Sequence, residues 1–357
     1  MSESGARWSS LPVEITPDEL GLWCPEIQLP LAVTGGTGFI GSHLVDGLLA
    51  GGLRPRLLVR DPARLSERAR SSGEVVRGDL DHRDAIGAAV AECRTVIHLA
   101  GLVRAENERR FDHANRIGTE NLVQAMQERA VGARLVHVSS LAATGPSAAP
   151  GGRAPEDEPR PVSAYGRSKL GGEAAARGHA GPWVILRPPA VYGPRDIDIL
   201  QFFKLTARGI VPLPSGERWV TVACVIDVVR AILAAAAGSA DRRVLHLGEP
   251  EPRTMADLVR VLAEAGGVRA RVLPIPPAIV RCLGLGGDFL QMLGMRSVAM
   301  TSDKARELLA RHWSARTVTS LEALGLTGFV PMPVGAARTW SWYREQGWVP
   351  HAKIRRV

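Results

Sequence analysis

LPLAVTGGTGFIGSHLVDGLLA, residues 29–50, decides the fold. Its first six residues form a short apolar run ended by glycines, as a buried strand does. FIGSHLVDGLLA (39–50) has helical spacing and stops at Gly51-Gly52. Between them lies TGGTGFIG (34–41). Gly36, Gly38 and Gly41 satisfy GxGxxG, and Gly35, Gly38 and Gly41 satisfy GxxGxxG. Glycines in a strand-to-helix turn let backbone N–H groups approach a pyrophosphate, and the helix N-terminus adds favourable partial charge. Gly35, Thr37, Gly38, Phe39, Ile40 and Gly41 are therefore candidate cofactor contacts. The alternative is a ligand-free β–α turn, and the context downstream weighs against it.

That context is a rhythm. RLLVR (56–60), EVVRGD (74–79), TVIHLA (95–100), RLVHVSS (134–140) and WVILRP (183–188) read as strands. Helical patterns separate most of them, notably around 84–92, 112–130 and 165–178. Strands alternating with helices imply right-handed crossovers and a parallel sheet. The expected fold is α/β: a Rossmann doubly wound parallel sheet with a smaller mixed α/β C-terminal substrate lobe. Residues 1–29 read as an N-terminal extension, 30–190 as the NAD(P)-binding domain and 191–357 mainly as the substrate lobe. Strands near 220–250, in VTVACVIDVVRAILAAAA (220–237) and RVLHL (243–247), are expected to return to the first domain. Residues 142–161 are a Pro/Gly-rich loop.

Composition narrows the function. The net charge of +8 comes almost wholly from arginines spread along the chain, without a run of like charges. That argues against nucleic acid as a partner, while a modest positive field favours anionic ligands. Cys24, Cys93, Cys224 and Cys282 show no CxxC spacing, and the histidines show no HxxxH or HExxH, so no metal site is expected. The polar, acidic start is unlike a signal peptide. The longest apolar stretch, 272–300, is interrupted by Arg281, Asp288 and Arg296, so stable membrane insertion is not expected. A cytoplasmic protein follows as the default.

Two further stretches carry chemistry. At the end of the second strand, Arg60 precedes Asp61. An acid there would hold a ribose diol, whereas an Arg would pair with a 2′-phosphate. Arg60 takes the first slot, which favours NADP(H) over NAD(H); the other reading leaves Arg60 solvated and Asp61 starting a turn. In SAYGRSK (163–169), Tyr165 and Lys169 stand four apart and share a helix face. A nearby ammonium favours the phenolate, which would let Tyr165 exchange a proton with an alcohol or ketone near neutral pH. Ser140 ends a predicted parallel strand, the edge where such sheets hold ligands.

TGGTGFIG, GDLDH, VIHLAG, ANRIGTENL, VHVSS, YGRSK and LRPPAVYGP occur in that order. As an ordered set, over about residues 30–350, they resemble the extended short-chain dehydrogenase/reductase superfamily, the epimerase/dehydratase-like group. The resemblance implies that Ser140 hydrogen-bonds the substrate oxygen, that Tyr165 is the acid/base, and that Lys169 tunes it and anchors the ribose. It further implies that Asp79 and Leu80 flank the adenine. Leu99, Ala100 and Gly101 would line the dinucleotide with Asn115 supporting that wall, and Pro188 and Val191 would border the nicotinamide. Ser139 is expected to be a strand-end hydroxyl and Glu173 a helix-face partner. Homodimerisation through the helices at 112–130 and 165–178 is implied in the same way.

Departures from the group's patterns sharpen the chemistry. Dehydratases carry an Asp-Glu pair after the catalytic hydroxyl residue, where this chain has Leu141 and Ala142. Nucleotide-sugar epimerases carry an Asn where this chain has Ala190. They also place a diphosphate-binding Arg where it has Val220 or Trp219, with Arg218 shifted. The stretch VLPIPPAIVRCLGLGGDFLQMLGM (272–295) would suit a steroid-, lipid- or flavonoid-like substrate, as in members near the hydroxysteroid dehydrogenases and dihydroflavonol reductases. These residues could equally be core, and membrane-surface contact is a third reading. The leading expectation is an oxidoreductase that interconverts a secondary alcohol and a ketone. The alternatives are a nucleotide-sugar epimerase and, from another class, a non-enzymatic dinucleotide-binding regulator. Trp340, Trp342, Tyr343 and Trp348 are expected to pack a terminal helix onto the lobe.

Overall fold

The computed structural model describes residues 26–292, 295, 300–327 and 329–350. Most of the expected extension lies outside the described residues. Ile27 is nonetheless in the core, and the Gln28 carbonyl accepts a hydrogen bond from Thr95 Oγ1 at 2.8 Å.

The first half alternates strands and helices: β1 (Leu31–Thr34), α1 (Phe39–Ala50), β2 (Arg56–Val59), α2 (Glu67–Ser72), β3 (Glu74–Arg77), α3 (Arg83–Val90) and β4 (Thr95–His98). Next come α4 (Glu108–Asp112), a π turn (His113–Ile117), α5 (Gly118–Arg129), β5 (Arg134–Val138), α6 (Ala164–Arg177) and β6 (Trp183–Arg187). The helix expected over 112–130 is thus interrupted, and the π turn carries Asn115.

The second half runs through β7 (Ala190–Tyr192), α7 (Leu200–Arg208), β8 (Ile210–Pro214), β9 (Trp219–Val220), β10 (Val222–Cys224), α8 (Val225–Ala237) and β11 (Arg243–His246). It ends with β12 (Arg253–Thr254), α9 (Met255–Ala265), β13 (Arg271–Ile275), α10 (Pro277–Met292), α11 (Ser302–Leu309), β14 (His312–Trp313), α12 (Val318–Ala323) and α13 (Met332–Glu345).

Seven strands form one parallel sheet in the order β3-β2-β1-β4-β5-β6-β11. β1, β4 and β6 are buried at every residue, which explains their largely apolar sequences. Alternate residues feed opposite faces: Val33 packs with Leu44 and Val45 of α1, while Ala32 packs with Ile86 of α3 and Leu122 of α5. Helix α8 is apolar on nearly every side because it is buried nearly all round under the first face. The chain order reverses between β1 and β4, so a crevice opens outside their carboxyl ends.

The remaining strands form small sheets: β7 with β10, β12-β9-β14, and the parallel pair β8–β13. β11 returns to the main sheet, whereas β10 does not. Trp340 Nε1 donates to the Leu262 carbonyl at 2.8 Å, and the Tyr343 hydroxyl donates to the Asp196 carbonyl at 2.9 Å. The terminal helix is fastened as its aromatic residues suggested.

Candidate active site

The glycine turn is shaped so that side chains cannot enter it. Gly35 has φ +77°, and a Cβ there would lie 2.5 Å from Ala100 N. A Cβ on Gly41 would lie 2.1 Å from the Gly35 carbonyl oxygen. The β1 turn therefore presses against the loop after β4. Ala100 N donates to Thr34 Oγ1 at 3.3 Å, and Leu99 N to the Thr34 carbonyl at 3.1 Å. Gly38 caps α1 without a side-chain acceptor, and the first turn holds no acid. Its leading N–H groups are thus available to an anion, with the helix dipole behind them. Thr37, Phe39 and Ile40 are half-buried at this mouth.

The walls are built by α5 and the π turn. Asn115 is buried; its Oδ1 accepts from Leu102 N at 2.7 Å, while its Nδ2 donates to the Leu102 carbonyl at 3.0 Å and to Ser168 Oγ at 2.9 Å. It clamps the loop bearing Leu99, Ala100 and Gly101, and a Cβ on Gly101 would lie 2.5 Å from its oxygen. Asn121 Nδ2 donates to the Leu80 carbonyl at 2.7 Å and fixes the opposite wall. Asp79 Oδ1 accepts from Asp81 N at 3.0 Å and meets His82 Nδ1 at 2.5 Å. Burial works against its carboxylate, but these bonds and nearby Arg60 outweigh that and hold it below the usual range. Arg60 is exposed and makes no ion pair among the described residues. Asp61 is spent capping the turn after β2, accepting from Ala63 N at 3.0 Å. The residues present thus fit a dinucleotide.

Ser140 lies two residues after β5 and accepts from Ala142 N at 3.1 Å, opening a short 3-10 turn over Leu141–Ala143. Ser163 caps α6 by accepting from Gly166 N at 3.1 Å, which starts the helix one residue before Tyr165. The Tyr165 helix packs directly on the turn after Ser140, where a Cβ on Gly166 would lie 2.4 Å from the Ala142 carbonyl oxygen, and the Tyr165 ring lies 5.8 Å from that of Phe111. Burial pushes the Tyr165 phenol up to about 12, and nearby Ser140 opposes this. Lys169 is buried, donates to the Val138 carbonyl at 2.8 Å, and is drawn down to about 8 by burial, with Glu173 opposing. The expectation that the ammonium lowers the phenol is not met here, because the ammonium is engaged at the end of β5 and burial governs the phenol. Pro188 is buried, its carbonyl accepting from Leu141 N at 2.8 Å, and Val191 lies half-buried on β7.

Sequence reasoning missed the support beneath this site. Glu173 is fully buried and accepts from Arg187 Nε and Nη2 at 2.7 Å each, with Ser139 Oγ donating to it at 2.7 Å. It locks α6 to β5 and β6 and is more than a helix-face partner. The signal was an acidic residue on the predicted buried side of the helix, with an Arg inside an apolar strand. Asn121 was missed too, although it stands in the ANRIGTENL stretch. His98 ends β4 bonded to Thr34 and Thr119 at 2.7 and 3.0 Å, as a polar strand-end residue. Arg218 donates from one nitrogen to the carbonyls of Pro214, Ser215 and Gly216 at 2.6–2.9 Å, so its guanidinium is engaged within its own loop.

Comparison with known proteins places this geometry. Residues 31–248 match the model of the NAD dependent epimerase/dehydratase family. The chain is 33% identical over 327 residues to a ceramide reductase of Caulobacter vibrioides, covering 90% of this chain and 96% of that protein. It is 28% identical over 322 residues to a 4-hydroxy-2-methyl-3-oxo-4-farnesyl-3,4-dihydroquinoline-1-oxide ketoreductase of Stigmatella aurantiaca, covering 83% of this chain and 96% of the other. Among solved structures, MoeE5 in complex with UDP-glucuronic acid and NAD superposes with a TM-score of 0.69 at 26% identity, covering 89% of this chain and all of that one.

Proposed function

Because this chain belongs to the NAD dependent epimerase/dehydratase family, within the extended short-chain dehydrogenases/reductases, we propose that it interconverts a secondary alcohol and a ketone on an apolar, lipid-like molecule. The observation that carries this reading is the packing of the helix bearing Tyr165 and Lys169 onto the turn after Ser140 at the carboxyl edge of the sheet, with Lys169 donating to the Val138 carbonyl at 2.8 Å. Two relatives named as reductases of lipid-like molecules support the substrate class.

The residues divide the work. N–H groups of the glycine turn would hold the pyrophosphate, with Asp79 and Leu80 at the adenine. Leu99, Ala100 and Gly101 would lie along the dinucleotide, with Pro188 and Val191 at the nicotinamide. Arg60, exposed and unpaired while Asp61 is occupied, favours NADP(H) over NAD(H). When bound, the nicotinamide supplies or accepts the hydride. Ser140 would donate a hydrogen bond to the substrate oxygen, which polarises its carbon. Tyr165, a neutral phenol at physiological pH, is poised to give that oxygen its proton in the reducing direction. Lys169 would orient the ribose and steady the phenol as it loses the proton. Residues 191–357 would mainly shape the substrate side. A cytoplasmic location and a homodimer paired through α5 and α6 belong to the same proposal.

A nucleotide-sugar epimerase is the second reading, favoured by the likeness to MoeE5. Ala190 and the internally engaged Arg218 weigh against it. One assay separates the two: NADPH consumption measured with long-chain lipid ketones, steroid ketones and UDP-glucose. Net consumption with an apolar ketone, lowered by roughly 10²–10⁴-fold in Tyr165→Phe, is expected. An Arg60→Ala arm should raise KM for NADPH by roughly tenfold and leave NADH unchanged. Interconversion of UDP-sugars without net cofactor consumption would overturn the reading.

A further inference from the structure

Helix α10 is inverted. Val280, Gly284 and Gly287, spaced i, i+4, i+7, are its buried residues. A Cβ on Gly284 would lie 2.9 Å from Ala305 Cβ of α11, so glycine sets how close the two helices come. Its large apolar side chains face outward instead: Ile279 is 48% exposed, Leu283 56%, Leu285 64% and Phe289 61%. Burying glycine and exposing leucine and phenylalanine forgoes the usual hydrophobic gain, unless an apolar phase meets the outer face. The adjoining ribbon continues the pattern, with Val272 and Leu273 of β13 and Ile210 of β8 all exposed.

Arginines dominate the charges around this surface, with exposed Glu217 an acid beside Val272 and Pro274. Arg208, Arg269, Arg271 and Arg281 are exposed, and none makes an ion pair among the described residues. The one acid of α10, Asp288, is half-buried and accepts from Ser302 N at 3.0 Å. Apolar side chains rimmed by unpaired arginines match the interface of an anionic bilayer: tails take the side chains and headgroup phosphates take the guanidinium groups.

We propose that α10 and the β8–β13 ribbon form a peripheral docking surface for an anionic lipid bilayer. The surface lies outside the catalytic constellation, yet it is coupled to it. Helix α11, which α10 rests on, is bonded to α6 through Asp303 Oδ2, which accepts from Ala164 N at 2.7 Å, next to Tyr165. Docking would bring the site to a bilayer holding an apolar substrate, and α10 would lie in the interface without crossing it. No helix among the described residues is long and apolar enough to cross a membrane.

The test is flotation of the full chain with phosphatidylcholine vesicles, with and without about one third phosphatidylglycerol. The wild-type protein is expected to float with the anionic vesicles and to be released by salt. The exposed double variant Leu283→Glu/Phe289→Glu should bind at least ~tenfold more weakly. Arg271→Gln/Arg281→Gln should lose the preference for phosphatidylglycerol. NADPH binding, titrated in parallel, should be unchanged in both. The proposal is overturned if the wild-type protein fails to float, or if Leu283→Glu/Phe289→Glu floats as well as wild type. It also falls if that variant only splits a larger species into a smaller one by light scattering, which would make the patch a contact between copies. Loss of NADPH binding in the wild-type protein would instead count against the dinucleotide reading and leave the docking result intact.

Discussion

In the proposed reaction, Tyr165 and Lys169 share the proton transfer. Burial makes the phenol a reluctant acid, up to about 12, and makes the ammonium an easily discharged one, down to about 8. The ammonium is therefore the group that titrates near working pH. Loss of its charge should withdraw support from the phenolate and from the ribose. kcat/KM for the cofactor in ketone reduction, which reports the free protein, should be level through neutral pH and decline above about pH 8. Lys169→Arg keeps a charge that does not titrate, so its profile should lose that decline. An identical decline in Lys169→Arg would assign it to another group. At this scale the sequence was legible where position is local: Ser140 after β5, and Tyr165 and Lys169 on α6, stand at the sheet edge that their spacing predicts. It was opaque where partners come from different elements. No spacing rule pairs Glu173 with Arg187, because the contact exists only once α6 has packed on β6.

At the scale of elements, the strands were legible because parallel strands covered on both faces are mostly apolar, and β1, β4 and β6, buried at every residue, have apolar centres. The π turn at His113–Ile117 was not, since its apolar residues continue the helical pattern on either side. The pairings β7–β10 and β8–β13 were not either, because short strands far apart in sequence carry no register signal of their own. The Glu173–Arg187 pair joins α6 to the sheet. Glu173→Gln leaves the Arg187 cation buried without its counter-charge, which costs about 3–5 kcal/mol. Thermal unfolding should fall accordingly. The double variant Glu173→Gln/Arg187→Met should recover much of the loss, because it removes the stranded charge. A double variant no more stable than the single one would show that the pair acts through packing alone.

For the whole molecule, the strand order alone places the crevice between β1 and β4 at the carboxyl edge of the sheet. Assembly is a separate question. The apolar residues of α5 and α6, such as Leu122, Met126 and Ala176, are buried within the chain. The outward residues include Glu120, Gln124, Gln127 and Arg167. A dimer through these helices would therefore have a polar interface, sensitive to salt. Light scattering should give twice the chain mass at low salt and a falling mass as salt rises; a monomer at every salt concentration would refute the pairing. The sequence made the first half of the molecule readable as a βα repeat, while the second half depends on contacts between short elements that no local pattern announces.

The central claim is net hydride transfer to a ketone, and it can be followed atom by atom. The measurement is reduction of a long-chain lipid ketone with NADPH deuterated at the transferring C4 position, with product analysed by mass spectrometry. The account predicts one deuterium on the new carbinol carbon, formed in step with oxidised cofactor, and almost none with Tyr165→Phe. A protein that binds NADPH yet leaves its deuterium in place, while exchanging the configuration of a UDP-sugar, would contradict it.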